Sequence, residues 1–385
     1  MKRVLVIVVT YNGLPWLDRS LGSVTLASSA GPPSPAAGAP SHYAGTPTEA
    51  AGIAHPAAGA PSQSAGTPTE ATGIAHPAAG TGPNNCRVPS NTAFFAGTGP
   101  EIGPLPAIDV YVVDNDSTDG SADFVKSHFP SAKLVRSAEN LGFSKANNLG
   151  MQYALDHGYD YVYLLNQDAW LEPGAMEKLV AAAEAHPEYA VLSPLQMTDG
   201  YISLDKEFAK LVPEDIQFRK QYHPRFRRRG PFMGRGGAAG VLGTVNHPEV
   251  VDVKRVMAAH WLVRVDAIRM IGLFNEILFP LYGQDDNWCH RARYMGYRIG
   301  IVPQARAVHD RAQRKEDKDR LIFRNYYTGS LVRLANPNVP MWLSYLYILP
   351  FTLVKAVRYR SLKVFASFFR LHAQFPAIRT LRSNR

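Results

Sequence analysis

Short apolar runs that end in polar clusters, separated by stretches of helical periodicity, restrict this chain to few folds. Residues 3–9, 108–113 and 161–165 are dense in Val, Ile, Leu and Tyr and read as buried strands. Each ends in a polar group: Thr10-Tyr11-Asn12-Gly13, then Asp114-Asn115-Asp116-Ser117-Thr118-Asp119-Gly120-Ser121, then Asn166-Gln167-Asp168. Helical patterns fill 14–25, 121–129, 144–157 and 173–186, and short strands are expected at 133–136 and 190–193. Strands alternating with helices at this spacing predict an α/β fold with a doubly wound, mostly parallel sheet. In such sheets ligands bind outside the carboxyl ends of the strands, where these polar clusters fall. The opening MKRVLVIVVTYNG is too short for a signal peptide and lacks a small-residue cleavage site, so it reads as the first strand and its loop.

Composition breaks the pattern once. Residues 27–105 are mostly Ala, Gly, Pro, Ser and Thr, and they contain a tandem repeat of period 21. Residues 35–55 and 56–76 match at 18 of 21 positions, and a third copy starts at Pro77. Two copies with so few large apolar residues cannot bury a core, so a disordered insertion is expected rather than a solenoid. It falls between a helix and the next strand and should leave the opposite, ligand-binding edge intact. The expected organisation is therefore a nucleotide-binding half (1–26 and 106–198), the insertion (27–105), an acceptor half (199–330) and a basic C-terminal segment (331–385).

In the second half, helices are expected at 265–271 and 288–295 and a strand at 299–302. Residues 342–354 are apolar but short of the ~20 needed to span a bilayer. The formal net charge is +9, and residues 355–385 supply eight positive charges with no acid. The apolar residues of that tail favour an anionic membrane surface over nucleic acid, for which no binding motif is present, and a helix packed on the catalytic domain is the structural alternative. A second basic group, Arg219 to Arg235, crowds one Gly-rich loop and reads as a phosphate grip or a solvated loop. Two cysteines, Cys86 and Cys289, make no disulfide framework and point to a reducing compartment.

Two acidic motifs 117 residues apart carry the chemistry. Asp168 closes a buried strand, where a carboxylate is costly unless it is hydrogen-bonded, paired or metal-bound. Mg²⁺ or Mn²⁺ would take such a carboxylate plus diphosphate oxygens, and capping of the next helix is the structural alternative. Asp285 follows Phe279-Pro280-Leu281-Tyr282, and partial burial would raise its pKa toward that of a good general base. Here the alternative is helix capping by Asp285 or Asp286. Asp114 fits either a base or ribose contact or an Asx-turn. The first loop is not G-x-G-x-x-G, which argues against a dinucleotide oxidoreductase.

VIVVTYNG, VYVVDNDSTDGS, ENLGFSKANNLGM, YVYLLNQDAWLEP, the block from MAAHW to GQDDNWCHR, and VPQARAVHD follow one another in an order that resembles the family 2 inverting glycosyltransferases of the rhamnosyltransferase-like and galactofuranosyltransferase-like branch. The resemblance covers roughly 1–26 and 106–330. It implies a GT-A fold: a nucleotide-sugar-binding α/β half fused to an acceptor-binding half, here followed by a helical C-terminal segment. Thr10, Asn12 and Asp114 match nucleotide contacts, and Asn140, Gly142 and Asn148 match the loop that closes over the donor. Asn166-Gln167-Asp168 stands at the metal motif. Asn166 replaces its first acid, so the metal would rest on Asp168 with His309, and Asn166 and Gln167 would touch the donor. Asp285 matches the catalytic base, and His260, Trp261, Gln284 and Asp286 match the acceptor side. The implied partners are a nucleotide sugar (dTDP-rhamnose or a UDP-sugar) and a glycan or lipid-linked glycan acceptor; the membrane surface is expected from the basic C-terminal segment itself. The implied location is cytoplasmic, peripheral on the inner face of the membrane. Gln284 and Asn287 replace the usual acids of the base motif, which motivates an alternative: a weakened sugar-nucleotide-binding or scaffold protein.

Overall fold

The computed structural model describes residues 1–25, 105–198, 203–213, 248–311 and 318–383. The repeat-bearing insertion and the Arg219–Arg235 loop lie outside these residues. In chain order the first half comprises β1 (Arg3–Thr10), α1 (Leu14–Thr25), β2 (Ala107–Asn115), α2 (Ser121–His128), β3 (Lys133–Ser137), α3 (Gly142–Asp156), β4 (Tyr161–Asn166), β5 (Ala169–Leu171), α4 (Ala175–Ala185) and β6 (Tyr189–Met197). The second half adds β7 (Val251–Val253), β8 (His260–Arg264), α5 (Val265–Ile271), α6 (Gln284–Tyr294) and β9 (Arg298–His309). A helical layer completes it. α7 (Lys318–Ile322) runs through a π-helical stretch (Phe323–Thr328) into α8 (Gly329–Ala335). Then come α9 (Met341–Tyr359), α10 (Lys363–Ala373) and α11 (Phe375–Ser383).

One mixed sheet has the order β3-β2-β1-β4-β8-β6-β9-β5, with β7 also on β9. Among the described residues, β1, β2, β3, β4, β6 and β9 run one way, and β5, β7 and β8 run against them. The apolar runs are explained by burial on both faces. Leu5 and Ile7 of β1 join one core with Val162, Leu164, Trp261 and Trp288, whereas Val4, Val6 and Val8 join the other with Leu17, Leu21 and Leu179. A third cluster, around Phe279, Tyr326, Leu331 and Ile348, holds the C-terminal helices.

Most expected elements are present, with boundaries shifted by a few residues. Two differences bear on function. Residues 260–264 form the antiparallel strand β8, inserted between β4 and β6, instead of a surface segment. The helix expected at 288 starts at Gln284, because Gly283, at φ 83°, turns the chain into it. A Cβ there would come within 2.6 Å of Val332 and 2.8 Å of Thr328, so only glycine lets this turn sit against the helical layer.

Candidate active site

The parallel register places Thr10 beside Asp114 and Val9 beside Asn166, so three polar clusters share one edge of the sheet. Two loops there are laced together. The Asn12 N–H donates to Ser117 Oγ (3.0 Å), and Asn12 Oδ1 accepts from the Thr118 N–H (2.9 Å). The Gly13 and Leu14 N–H groups donate to Ser121 Oγ and Asp119 Oδ2, both at 3.0 Å. Asn12 tolerates this at φ 49°, a left-handed conformation that Asn adopts more readily than most residues. Thr10 Oγ1 and Asp114 Oδ1 are buried and lack a protein partner. Burial raises the Asp114 pKa, and Ser117 pulls it back. Buried polar atoms in native proteins are nearly always satisfied, so this pair leaves hydrogen-bonding capacity for water or a ligand at this edge.

Gln167 serves the protein. Its Oε1 accepts from the Tyr11 N–H (2.8 Å) and its Nε2 donates to Tyr11 O (3.3 Å), pinning the first loop. Asn166 uses its backbone: its N–H donates to Ala259 O (3.1 Å), and its carbonyl accepts from Ser20 Oγ. Asp168 lies next to His309, with Oδ1 to Nε2 at 3.6 Å, because Ala169 pairs with His309 across β5 and β9. That gap exceeds a hydrogen bond yet lets both atoms reach one cation. His309 Nδ1 is buried with no partner. Among the described residues no group of three His, Cys, Asp or Glu side chains gathers around a point. Asp168 and His309 alone supply two donors, a set compatible with an ion such as Mg²⁺ or Mn²⁺ that takes few protein ligands and completes its shell with phosphate oxygens and water.

Asp285 lies in the first turn of α6, half-buried. Burial and the neighbouring charge of Asp286 raise its pKa from 3.8 to about 7. The backbone N–H groups of Asp286 and Ala258, together with Arg255, oppose that rise. Asp286 itself is engaged by Arg255. The strip 255–259 thus borders both motifs: Ala258 faces Asp285, and Ala259 holds Asn166. Sequence reasoning missed Arg255 and this strip, which carry no local signature. Gln284 Oε1 and both amide atoms of Asn287 are buried and without partners.

Besides Gln167, three expected contacts are corrected. His260 and Trp261, expected on the acceptor side, are fully buried in β8. Trp261 packs on Phe274 and Trp288, with ring centroids 6.0 and 5.8 Å away, and offers no face to a sugar. His260 Nε2 lies 2.9 Å from Val308 O, which can only accept, so Nδ1 accepts from Tyr163 OH at 2.9 Å. Burial lowers its pKa to about 3 and keeps it neutral. Asn148, expected at the donor, instead braces the chain that leads to Asp285. Its Nδ2 donates to Phe274 O (3.0 Å), and its Oδ1 accepts from the Phe274 N–H (3.0 Å). The same loop adds Ser144, whose N–H donates to Pro280 O (3.1 Å). Gly142 sits at φ 75°, where a Cβ would come within 2.9 Å of that same oxygen. Asn140 is exposed, and its Oδ1 accepts from Asn115 Nδ2 (3.0 Å) and the Gly142 N–H (2.9 Å).

The chain is similar to known proteins over part of its length. The family model described as glycosyl transferase family 2 matches residues 101–239. An N-acetylglucosaminyl-diphospho-decaprenol L-rhamnosyltransferase of Mycobacterium tuberculosis is 28% identical over 229 residues, covering 53% of this chain and 67% of that protein. A galactofuranosyl glycosyltransferase of Leishmania donovani is 25% identical over 189 residues (46% and 42%). A dTDP-rhamnosyl transferase of Shigella flexneri is 24% identical over 206 residues (52% and 59%). The matched part thus spans less than half of the Leishmania protein and somewhat over half of the Shigella one. Residues 101–239 thus match the glycosyl transferase family 2 model, and over about half its length the chain is similar to rhamnosyltransferases and a galactofuranosyltransferase.

Proposed function

We propose that the chain is an inverting hexosyltransferase that moves a sugar from a nucleotide donor to a hydroxyl of a glycan or lipid-linked glycan. The observation that carries this is Asp285, a carboxylate held near pKa 7 one short strip away from the Asp168 edge. A base is most effective when its pKa lies near the working pH. Asp285 takes the proton of the acceptor hydroxyl. The hydroxyl oxygen forms a bond to the anomeric carbon from the face opposite the diphosphate. The bond from that carbon to the phosphate oxygen breaks, its electron pair leaves with the nucleoside diphosphate, and the configuration inverts. Thr10 Oγ1 and Asp114 receive the nucleoside end, with Asn12 and the Asn140–Gly142 loop shaping the entrance. Asp168 and His309 would hold Mg²⁺ or Mn²⁺, whose chemistry is to neutralise charge growing on the diphosphate. Gln284 and Asp286 flank the acceptor side of the base.

The donor class follows the relatives: dTDP-rhamnose first, a UDP-sugar second. The setting consistent with this reading is biosynthesis of a surface polysaccharide on the cytoplasmic face of a membrane, reached through the basic C-terminal segment. The test is release of nucleoside diphosphate from a panel of nucleotide sugars with Mn²⁺, Mg²⁺ or EDTA. One donor should be hydrolysed slowly in a metal-dependent way, and Asp168→Ala should abolish this. Binding of a donor without turnover on any acceptor would instead support a non-catalytic sugar-nucleotide-binding protein.

A further inference from the structure

Helix α9 is apolar on both sides: Tyr345 and Phe351 pack with Ile348 against the helical core, and a second apolar side faces outward. Its buried residues are Ser344, Ile348 and Thr352, and Thr352 Oγ1 meets Tyr326 OH at 2.7 Å. Its outer side carries Trp342, Leu346, Leu353 and Val357, exposed by 65, 54, 59 and 78%. Leu343, Tyr347, Leu349 and Val354 are exposed as well. Of the 17 large apolar side chains exposed among the described residues, ten lie between Trp342 and Phe369, so the exposure is concentrated in one region. A helix of 19 residues is roughly 28 Å long, and a stripe of that length is larger than the patches soluble monomers usually expose.

The charge around the stripe identifies what covers it. No acidic residue occurs between Arg320 and Arg385. Arg358, Arg360, Lys363, Arg370 and Arg379 are exposed on and after α9; Lys363 also pairs with Asp319, Arg370 lies over the Tyr327 ring, and Arg382 reaches the carbonyls of Leu334 and Val339. A second copy of the chain would bring this basic cluster against itself in a two-fold contact. An anionic bilayer surface complements both features: acyl chains for the stripe, headgroups for the cations, and a boundary layer that suits Trp342 and Tyr347. Among the described residues no helix is long and apolar enough to cross a membrane. We infer that the outer face of α9 lies in the plane of an anionic bilayer, embedded to the depth of its side chains.

The position of this face deepens the proposed function, on which the next step rests. Gly283 sits against Thr328 and Val332 at the entry to α8, and Asn338 Nδ2 donates to His290 O (2.8 Å). The helix bearing Asp285 is therefore packed on the same helical layer that carries α9. An acceptor whose sugar is joined through phosphate to a lipid would reach the base from that surface.

Flotation of the full chain with phosphatidylglycerol and with phosphatidylcholine vesicles tests the inference. Wild type should partition at least tenfold better onto the anionic vesicles, and about 0.5 M salt should weaken that preference. The double variant Leu353→Glu, Val357→Glu should lose at least tenfold in partitioning with its melting temperature unchanged. Arg358→Glu with Arg379→Glu should erase the preference for anionic lipid. Failure of the wild type to float with either vesicle would overturn the inference. So would a stable dimer that Leu353→Glu, Val357→Glu splits without altering flotation, because a second copy would then own the face. Donor hydrolysis measured without lipid keeps the two readings apart: flotation without hydrolysis leaves this inference standing and removes the transferase reading.

Discussion

Replacing Asp285 with Asn should stabilise the protein at neutral and alkaline pH while removing transfer. Burial raises the folded-state pKa from 3.8 to about 7, so ionising this carboxylate works against the fold. In the unfolded chain the group releases its proton near 3.8, and in the native state near 7. Between those values the unfolded state binds fewer protons than the native state, so stability falls as pH rises. The gap is about 3 pH units at ~1.4 kcal/mol each, an upper bound of about 4 kcal/mol. Because the Asp286 charge supplies part of the shift, about 2–4 kcal/mol is the working range. The Asn variant has no such term. Urea unfolding of both proteins from pH 4 to pH 8.5 should give equal stability at the acid end. The variant should gain steadily through pH 4–7, and the gain should be constant above about pH 7.5. Transfer by the wild type should rise with pH through an apparent pKa near 7. A stability difference that stays flat with pH, or a variant less stable than wild type at pH 8, would refute the claim that this carboxylate is held against its preference.

Two further substitutions test the corrected assignments. Asn148→Ala strips partners from both backbone groups of Phe274 and should cost about 2–4 kcal/mol in urea unfolding. It should lower kcat through a displaced Asp285 while nucleoside diphosphate affinity, measured by calorimetry, stays within about threefold; a change confined to nucleotide affinity would return Asn148 to the donor site. Trp261→Ala should destabilise by about 3–5 kcal/mol. Trp261→Phe should leave the relative rates on different acceptors unchanged, and altered acceptor preference would show that the indole meets the sugar after all.

How much was legible depended on what a residue faces. β1, β2 and β4 announced themselves because strands buried on both sides must be apolar throughout, and their polar ends then had to lie on one edge. Strand β8 did not: HWLVR is five residues long and runs straight into the α5 helix, so its period is too brief to read. The raised pKa of Asp285 was legible from its apolar approach, since burial is its largest cause. Amides were the weak point. Nothing in the chain shows whether the carboxamide of Gln167 or Asn148 turns to a ligand or to backbone, since both uses demand the same donor and acceptor. Arg255 and Asp286, 31 positions apart, carry no spacing rule and became partners only through the fold.

The strip from Arg255 to Ala259 has a consequence for how such an enzyme diversifies. Asp285 leans on Ala258 and Asn166 on Ala259, so under the proposed function a single peptide link ties the base to the donor edge. That link behaves as a ruler made of main chain, indifferent to side-chain replacement. Selection for a new acceptor can therefore rework the walls around α6 without retuning the distance over which a sugar is handed across. Altering that distance would take an insertion or deletion in these five residues. Drift by substitution can change what is glycosylated long before it changes whether glycosylation occurs.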